Sequence, residues 1–136
     1  MAELRQNTWT LDQWYDQDVA GNVSYSSDTY QLWGWGKDGS GQLGQNSTSV
    51  PAYSSPVQIG TESTWKTIGV AAIQNNMTMA TKTDGTLWVW GWNLAGQLGL
   101  NQEGHAPGAR SSPTQIPGTW GDALFTGTGW THATKA

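Results

Sequence analysis

The apolar positions of this chain fall in short alternating runs set between Gly, Ser, Thr, Asn and Asp, the pattern of short β-strands joined by turns. Met77–Lys82 (MTMATK) is an extended run, Thr83–Thr86 (TDGT) carries the Asp-Gly pair favoured in two-residue hairpin turns, and Leu87–Trp92 (LWVWGW) alternates as the next strand. The pattern predicts a β-hairpin. On its second arm Leu87 and Val89 point one way while Trp88, Trp90 and Trp92 point the other. With both faces apolar, the sheet is expected to be covered on both sides by stacked neighbouring sheets.

The pattern repeats. LWGWGKDGSGQLG (Leu32–Gly44) returns as LWVWGWNLAGQLG (Leu87–Gly99) at an offset of 55, and SSPVQI (Ser54–Ile59) returns as SSPTQI (Ser111–Ile116) at an offset of 57. Two residues are inserted in the intervening loop. Thr64-Trp65 recurs at Thr119-Trp120 and Ala80-Thr81-Lys82 at Ala133-Thr134-Lys135. A period of this length predicts a repeat architecture in which each unit buries its faces against its neighbours. About four short strands are expected per period, with Pro56 and Pro113 each placed at the start of one, where a missing N–H does no harm. The glycines that end the repeated phrase read as turn and close-approach positions.

These landmarks divide the chain into 1–29, an anchor-like segment or degenerate half-repeat; 30–84, repeat one; and 85–136, repeat two running into a truncated third. In the first segment Trp9 lies 24 residues before Trp33, close to the 23 between Trp65 and Trp88, but LDQWYDQDVAGN has no later counterpart. After HATKA the pattern calls for the second arm of another hairpin. The expected fold is therefore all-β: about two propeller-blade-like repeats of short antiparallel strands plus a partial third, a ring incomplete in one chain and completed by other polypeptide.

Composition narrows the partners. The net charge is −4 with only six Lys and Arg, which argues against a phosphate-binding surface, since nucleic-acid affinity rests on clustered basic residues. Ten tryptophans with little charge argue for an ordered chain. There is no cysteine, no apolar run long enough to insert in a membrane, and no basic and apolar leader at the start, so export by a cleaved signal is not expected.

The phrase Leu32–Gly44 and its copy Leu87–Gly99, with SSPVQIGTESTWKTI and KTDGTLW supplying the rest, resembles the repeats of the regulator of chromosome condensation over residues 30 to 136. That resemblance implies four-stranded blades, about seven of which close a ring in the family. It implies structural, repeat-defining roles for Trp33, Trp35, Gly36, Gly41, Gln42, Leu43 and Gly44, and for Trp88, Trp90, Gly91, Gly96, Gln97, Leu98 and Gly99. The family spans a nucleotide-exchange factor, protein inhibitors and adhesion modules, so the fold does not choose the function. The Trp-rich start joined to such repeats also looks like short-repeat virion proteins of bacterial viruses.

Candidate chemistry is sparse. His105 and His132 are isolated from other metal-ligating residues, and Asp12, Asp16 and Asp18 lack the final bidentate acid of a calcium loop. Asp38-Gly39 and Asp84-Gly85 read as turn residues, and GKDGSGQLG lacks the Lys-Ser/Thr ending of a phosphate-binding loop. No catalytic, cofactor or metal site is assigned, and a non-enzymatic protein is expected. Trp9, Trp14, Tyr15, Trp92 and Trp130 do not recur cleanly and are the candidate partner contacts.

Two functions are open on these grounds. One is a structural protein of a bacteriophage virion (capsid decoration, head fibre or tail-associated subunit) that packs against other virion proteins or copies of itself as a homo-oligomer or part of a larger assembly. The other is a recognition module that binds a host-surface glycan or protein through exposed tryptophans, with Trp92, Trp130 and the 101–110 loop as the contact region.

Overall fold

A computed structural model of the chain describes residues 30–71, 76–102 and 108–136. Within them run nine strands and no helix: β1 (Leu32–Lys37), β2 (Ala52–Ile59), β3 (Trp65–Ile68), β4 (Val70–Ala71), β5 (Met77–Lys82), β6 (Leu87–Gly91), β7 (Arg110–Ile116), β8 (Trp120–Gly127) and β9 (Trp130–Lys135). They form three small sheets, β1-β2, β3-β5-β6-β7 and β4-β8-β9, with no closed barrel or ring among the described residues. The fold is all-β and consists of partial propeller blades.

The middle sheet is an antiparallel meander of four strands, from Trp65 to Ile116. It straddles the repeat boundary drawn at 84/85, because a sequence period has a length but no fixed phase. The outer sheets are complementary portions of the same pattern. β1 and β2 are the repeat equivalents of β6 and β7; β8 and β9 are the equivalents of β3 and β5. A short strand ties the middle sheet to the third: β4 follows β3 in the chain but pairs in parallel with β8.

The two apolar faces expected of β6 are both covered. On one side Met77, Met79, Leu87, Val89 and Leu98 pack with Leu124 of β8. On the other, Trp65, Ala80 and Trp90 pack with Leu32 and Ile59 of the first sheet. The middle sheet is thus the filling between two others, and the alternation of β6 sets which side chain meets which neighbour. Trp92 escapes that alternation, since β6 ends at Gly91; Trp92 is half-buried, and its N–H donates to the Asn76 carbonyl at 2.7 Å.

Local geometry repeats with the sequence. The β1-β2 and β6-β7 pairings both carry a bulge, between Gly34 and Gly36 and between Val89 and Gly91, and Gly36 and Gly91 share a φ of 101°. Pro56 and Pro113 lie inside β2 and β7 rather than at their starts, opposite those register shifts. Both strands are sheet edges, where a residue without an N–H breaks no ladder bond. The hairpin at Thr83–Thr86 also differs from expectation. Gly85 alone has positive φ (78°), its N–H donates to the Lys82 carbonyl, and Lys82 N–H donates to the Thr86 carbonyl, which makes a three-residue loop with a glycine bulge. Asp84 Oδ1 accepts from both the N–H and the hydroxyl of Thr86 and holds that form.

Candidate interaction surface

The loops after β1 and β6 are the same object built twice. Asp38 Oδ1 accepts from Leu43 N–H at 2.8 Å and Asn93 Oδ1 from Leu98 N–H at 2.9 Å. Gln42 Oε1 accepts from Ser40 N–H and Gln97 Oε1 from Ala95 N–H, both at 2.9 Å. Gly41 and Gly96 turn the chain at φ 76° and 77°. Each loop therefore presents one leucine and one glutamine carbonyl to the side where the next sheet packs.

That presentation is used once in full. In the seam between the first and middle sheets, the Gln42 carbonyl accepts from Trp90 Nε1 at 2.9 Å and from Thr78 Oγ1 at 2.8 Å. Trp90 is wholly buried, its ring 5.8 Å from that of Trp65, which stacks edge-on against Trp88 at 6.3 Å. Lys82 lies over both Trp88 (4.1 Å) and Trp65 (4.8 Å) and is held by Glu62 at 3.1 Å. An indole, a carbonyl and a caged lysine close this seam.

The seam between the middle and third sheets is different. It contains a half-open cavity of about 170 Å³ lined by Leu87, Leu98, Ile116, Trp120, Thr131 and Ala133 among others. Trp120 Nε1 is buried without a hydrogen-bond partner, as Trp65 Nε1 is in the first seam, but Thr131 Oγ1 reaches only Met77 Sδ, at 3.4 Å, where Thr78 reaches a carbonyl. Lys135 stands 5.7 Å from the Trp120 ring, a looser version of the Lys82 cage.

The tryptophans read in the sequence are divided by this architecture. Trp90 is enclosed and Trp88 half-buried, whereas their repeat equivalents Trp33 and Trp35, on the outer face of the first sheet, are 47% and 65% exposed. Trp130 lies exposed on the third sheet, stacked on His132 with centroids 4.9 Å apart, near the exposed Phe125. Trp130 and Trp92 are not brought into one exposed patch, Trp92 being half-buried. Trp9, Trp14 and Tyr15 lie outside the described residues, as do His105 and the middle of the 101–110 loop. Trp120, Thr131 and Ala133 were not singled out in the sequence, although the matched Thr-Trp and Ala-Thr-Lys landmarks place them in register with Trp65, Thr78 and Ala80.

Among the described residues no three His, Asp or Glu side chains group as a metal site would require. Burial pushes the Asp38 carboxyl above its usual value, more than the Leu43 N–H lowers it. Its Oδ2 is buried without a partner. In the second loop Asn93 answers this need, Nδ2 donating to the carbonyls of Gln102 (2.6 Å) and Gly108 (3.1 Å). Glu62 is held below its usual value by its own backbone N–H and by Lys82, and Asp122 by Lys66, 2.7 Å away.

Residues 84–132 match the regulator of chromosome condensation (RCC1) repeat. The chain carries RCC1-like β-propeller repeats. It is similar to the RCC1 domain-containing protein RUG3, mitochondrial, of Arabidopsis thaliana, with 32% identity over 95 residues covering 55% of this chain and 20% of that protein. In fold it is similar to human WBSCR16, at 20% identity and a TM-score of 0.50, over 63% of this chain and 21% of that one. The chain thus spans about one fifth of the length of each relative. The virion setting expected from the sequence is corrected by one of these matches: RUG3 is by name a mitochondrial protein, which is a cellular setting and not a virion.

Proposed function

We propose that this chain is a non-enzymatic packing module, a run of RCC1-like blades that works by stacking its sheets against other protein, either copies of itself or the rest of a larger assembly. The observation that carries this reading is the contrast between equivalent tryptophans. Trp90 is fully buried beneath a neighbouring sheet and Trp88 half-buried against the same cluster, while Trp33 and Trp35, in the same repeat positions, stand exposed on an outer face. A paired row of exposed indoles on a small domain is an association surface, because Trp gives more contact area per side chain than any other residue. Light scattering on the native chain tests this. A particle several times heavier than the 14.7 kDa chain is expected, and a monomer at every concentration would count against the reading.

A second reading rests on Trp130, whose exposed ring beside His132 and Phe125 offers a flat aromatic platform on which a sugar ring could stack. Unchanged tryptophan fluorescence on addition of mono- and oligosaccharides would remove it.

A further inference from the structure

The cavity between the middle and third sheets has the outline of a missing side chain. In the filled seam Trp90 packs with Gly44 and Ile59 of the first sheet and with Trp65, Thr78 and Ala80 of its own. One repeat later those positions are Gly99 and Ile116, then Trp120, Thr131 and Ala133, and all five line the cavity. The seat is built; the indole that belongs in it would come from a strand beside β9, as Trp90 comes from β6 beside β5. Among the described residues β9 pairs only with β8, which leaves that flank open.

We infer that this seat takes Trp35 from β1 of a second copy of the chain. The inference rests on the packing function proposed above and names its contact. β1 is the repeat equivalent of β6, carries Leu32, Trp33 and Trp35 where β6 carries Leu87, Trp88 and Trp90, and holds both tryptophans exposed. The register follows from the complete sheet, where Ala80 faces Trp88 and Thr78 faces Trp90. Ala133 then faces Trp33 of the second copy and Thr131 faces its Trp35. The incoming indole N–H donates to the Gln97 carbonyl, as Trp90 Nε1 does to Gln42. Trp33 of the second copy lies on Trp120 with Lys135 above both, repeating the Lys82 cage. β8-β9 of one copy and β1-β2 of the next together form a four-stranded blade like the middle one. The contact is head-to-tail, so copies close into a ring or extend as a filament.

The test compares the native masses of the full chain and of Trp35→Ala, with Leu94→Ala as a control on an exposed apolar residue outside the contact, since its repeat equivalent Gly39 has open space around it. The expected result is an assembly of the native chain and of Leu94→Ala, with Trp35→Ala reduced to a 14.7 kDa monomer. Because the chain has no cysteine, the register is read separately: a mixture of Trp33→Cys and Ala133→Cys copies should form a disulfide-linked dimer on oxidation, while neither variant alone should. An assembly that survives Trp35→Ala, or a mixture that gives no cross-link, overturns the seat and leaves the packing function standing. A native chain that stays monomeric overturns both.

Discussion

The two seams of this molecule are built from the same residues and end differently. Between the first and middle sheets, Trp90 fills the space, bonds a carbonyl and stacks on Trp65. Between the middle and third sheets the equivalent walls stand around a cavity, and the Thr131 hydroxyl reaches a sulfur where Thr78 in the filled seam reaches the Gln42 carbonyl. The lesson is that a blade in this repeat is completed by its neighbour: one side chain from an adjacent strand decides whether a seam is a core or an open site.

The largest expected effect comes from emptying the filled seam. Trp90→Ala should cost about 3–5 kcal/mol in equilibrium unfolding, the range for deleting a buried large aromatic, and should leave the Gln42 carbonyl without its indole donor. Trp35→Ala, at the equivalent exposed position, should change the stability of the isolated chain by about 0.5 kcal/mol or less. Equal losses at the two positions would erase the difference between the seams.

The glycine pair Gly41 and Gly96 sharpens the comparison. Both have left-handed φ, 76° and 77°, so alanine strains each by about 1–2 kcal/mol. At Gly41 the added methyl would also stand 2.6 Å from Ser111 Cα of the next sheet, whereas at Gly96 it meets nothing within 4 Å. Gly41→Ala should therefore be the more destabilising of the two by about 1–3 kcal/mol in thermal or denaturant unfolding.

Two smaller effects follow from the titrating groups. Asp38 has a raised folded-state pKa, so the folded chain holds a proton that the unfolded chain has already released. Its contribution thus grows as pH falls through the range just above the usual 3.8 and is lost as pH rises. Asp38→Asn, which copies Asn93, should stabilise the protein at neutral pH by about 1–2 kcal/mol and remove this pH dependence from unfolding curves. Glu62 has the opposite sign: its lowered pKa gives stability present above its ordinary value and lost as pH falls. Since it is 45% exposed, Glu62→Gln should cost only about 0.2–1 kcal/mol, with a loosening of Lys82 over Trp88 seen as a change in indole fluorescence.

Much of this fold was legible because the repeat was strong. The alternation of Leu87 and Val89 against Trp88 and Trp90 announced a sheet covered on both faces, and the Leu32–Gly44 phrase announced a second copy of its loop. The limits were geometric. Sequence spacing does not reveal that the four-stranded sheet begins at Trp65, because hydrogen-bond pairing, and not the period, sets where a blade starts. Nor did it separate Trp35 from Trp90: two residues with the same local phrase differ in burial only because a sheet lies over one of them. The Asp-Gly pair marked the hairpin but not its loop length, which the Asp84 contacts to Thr86 decide. The resemblance to virion proteins rested on the first segment, whose residues say nothing of the blade, and it misdirected the cellular setting.

Titrating free indole into the Trp35→Ala chain and following backbone amide shifts by NMR shows whether the cavity beside Trp120, Thr131 and Ala133 is a built seat for one indole ring. The account predicts saturable shifts centred on Gly99, Thr131 and Ala133, a higher unfolding temperature, and loss of both in Ala133→Phe, where the seat is filled from within. Indole that leaves those amides unmoved, or that perturbs the Trp90 seam as strongly, would contradict it.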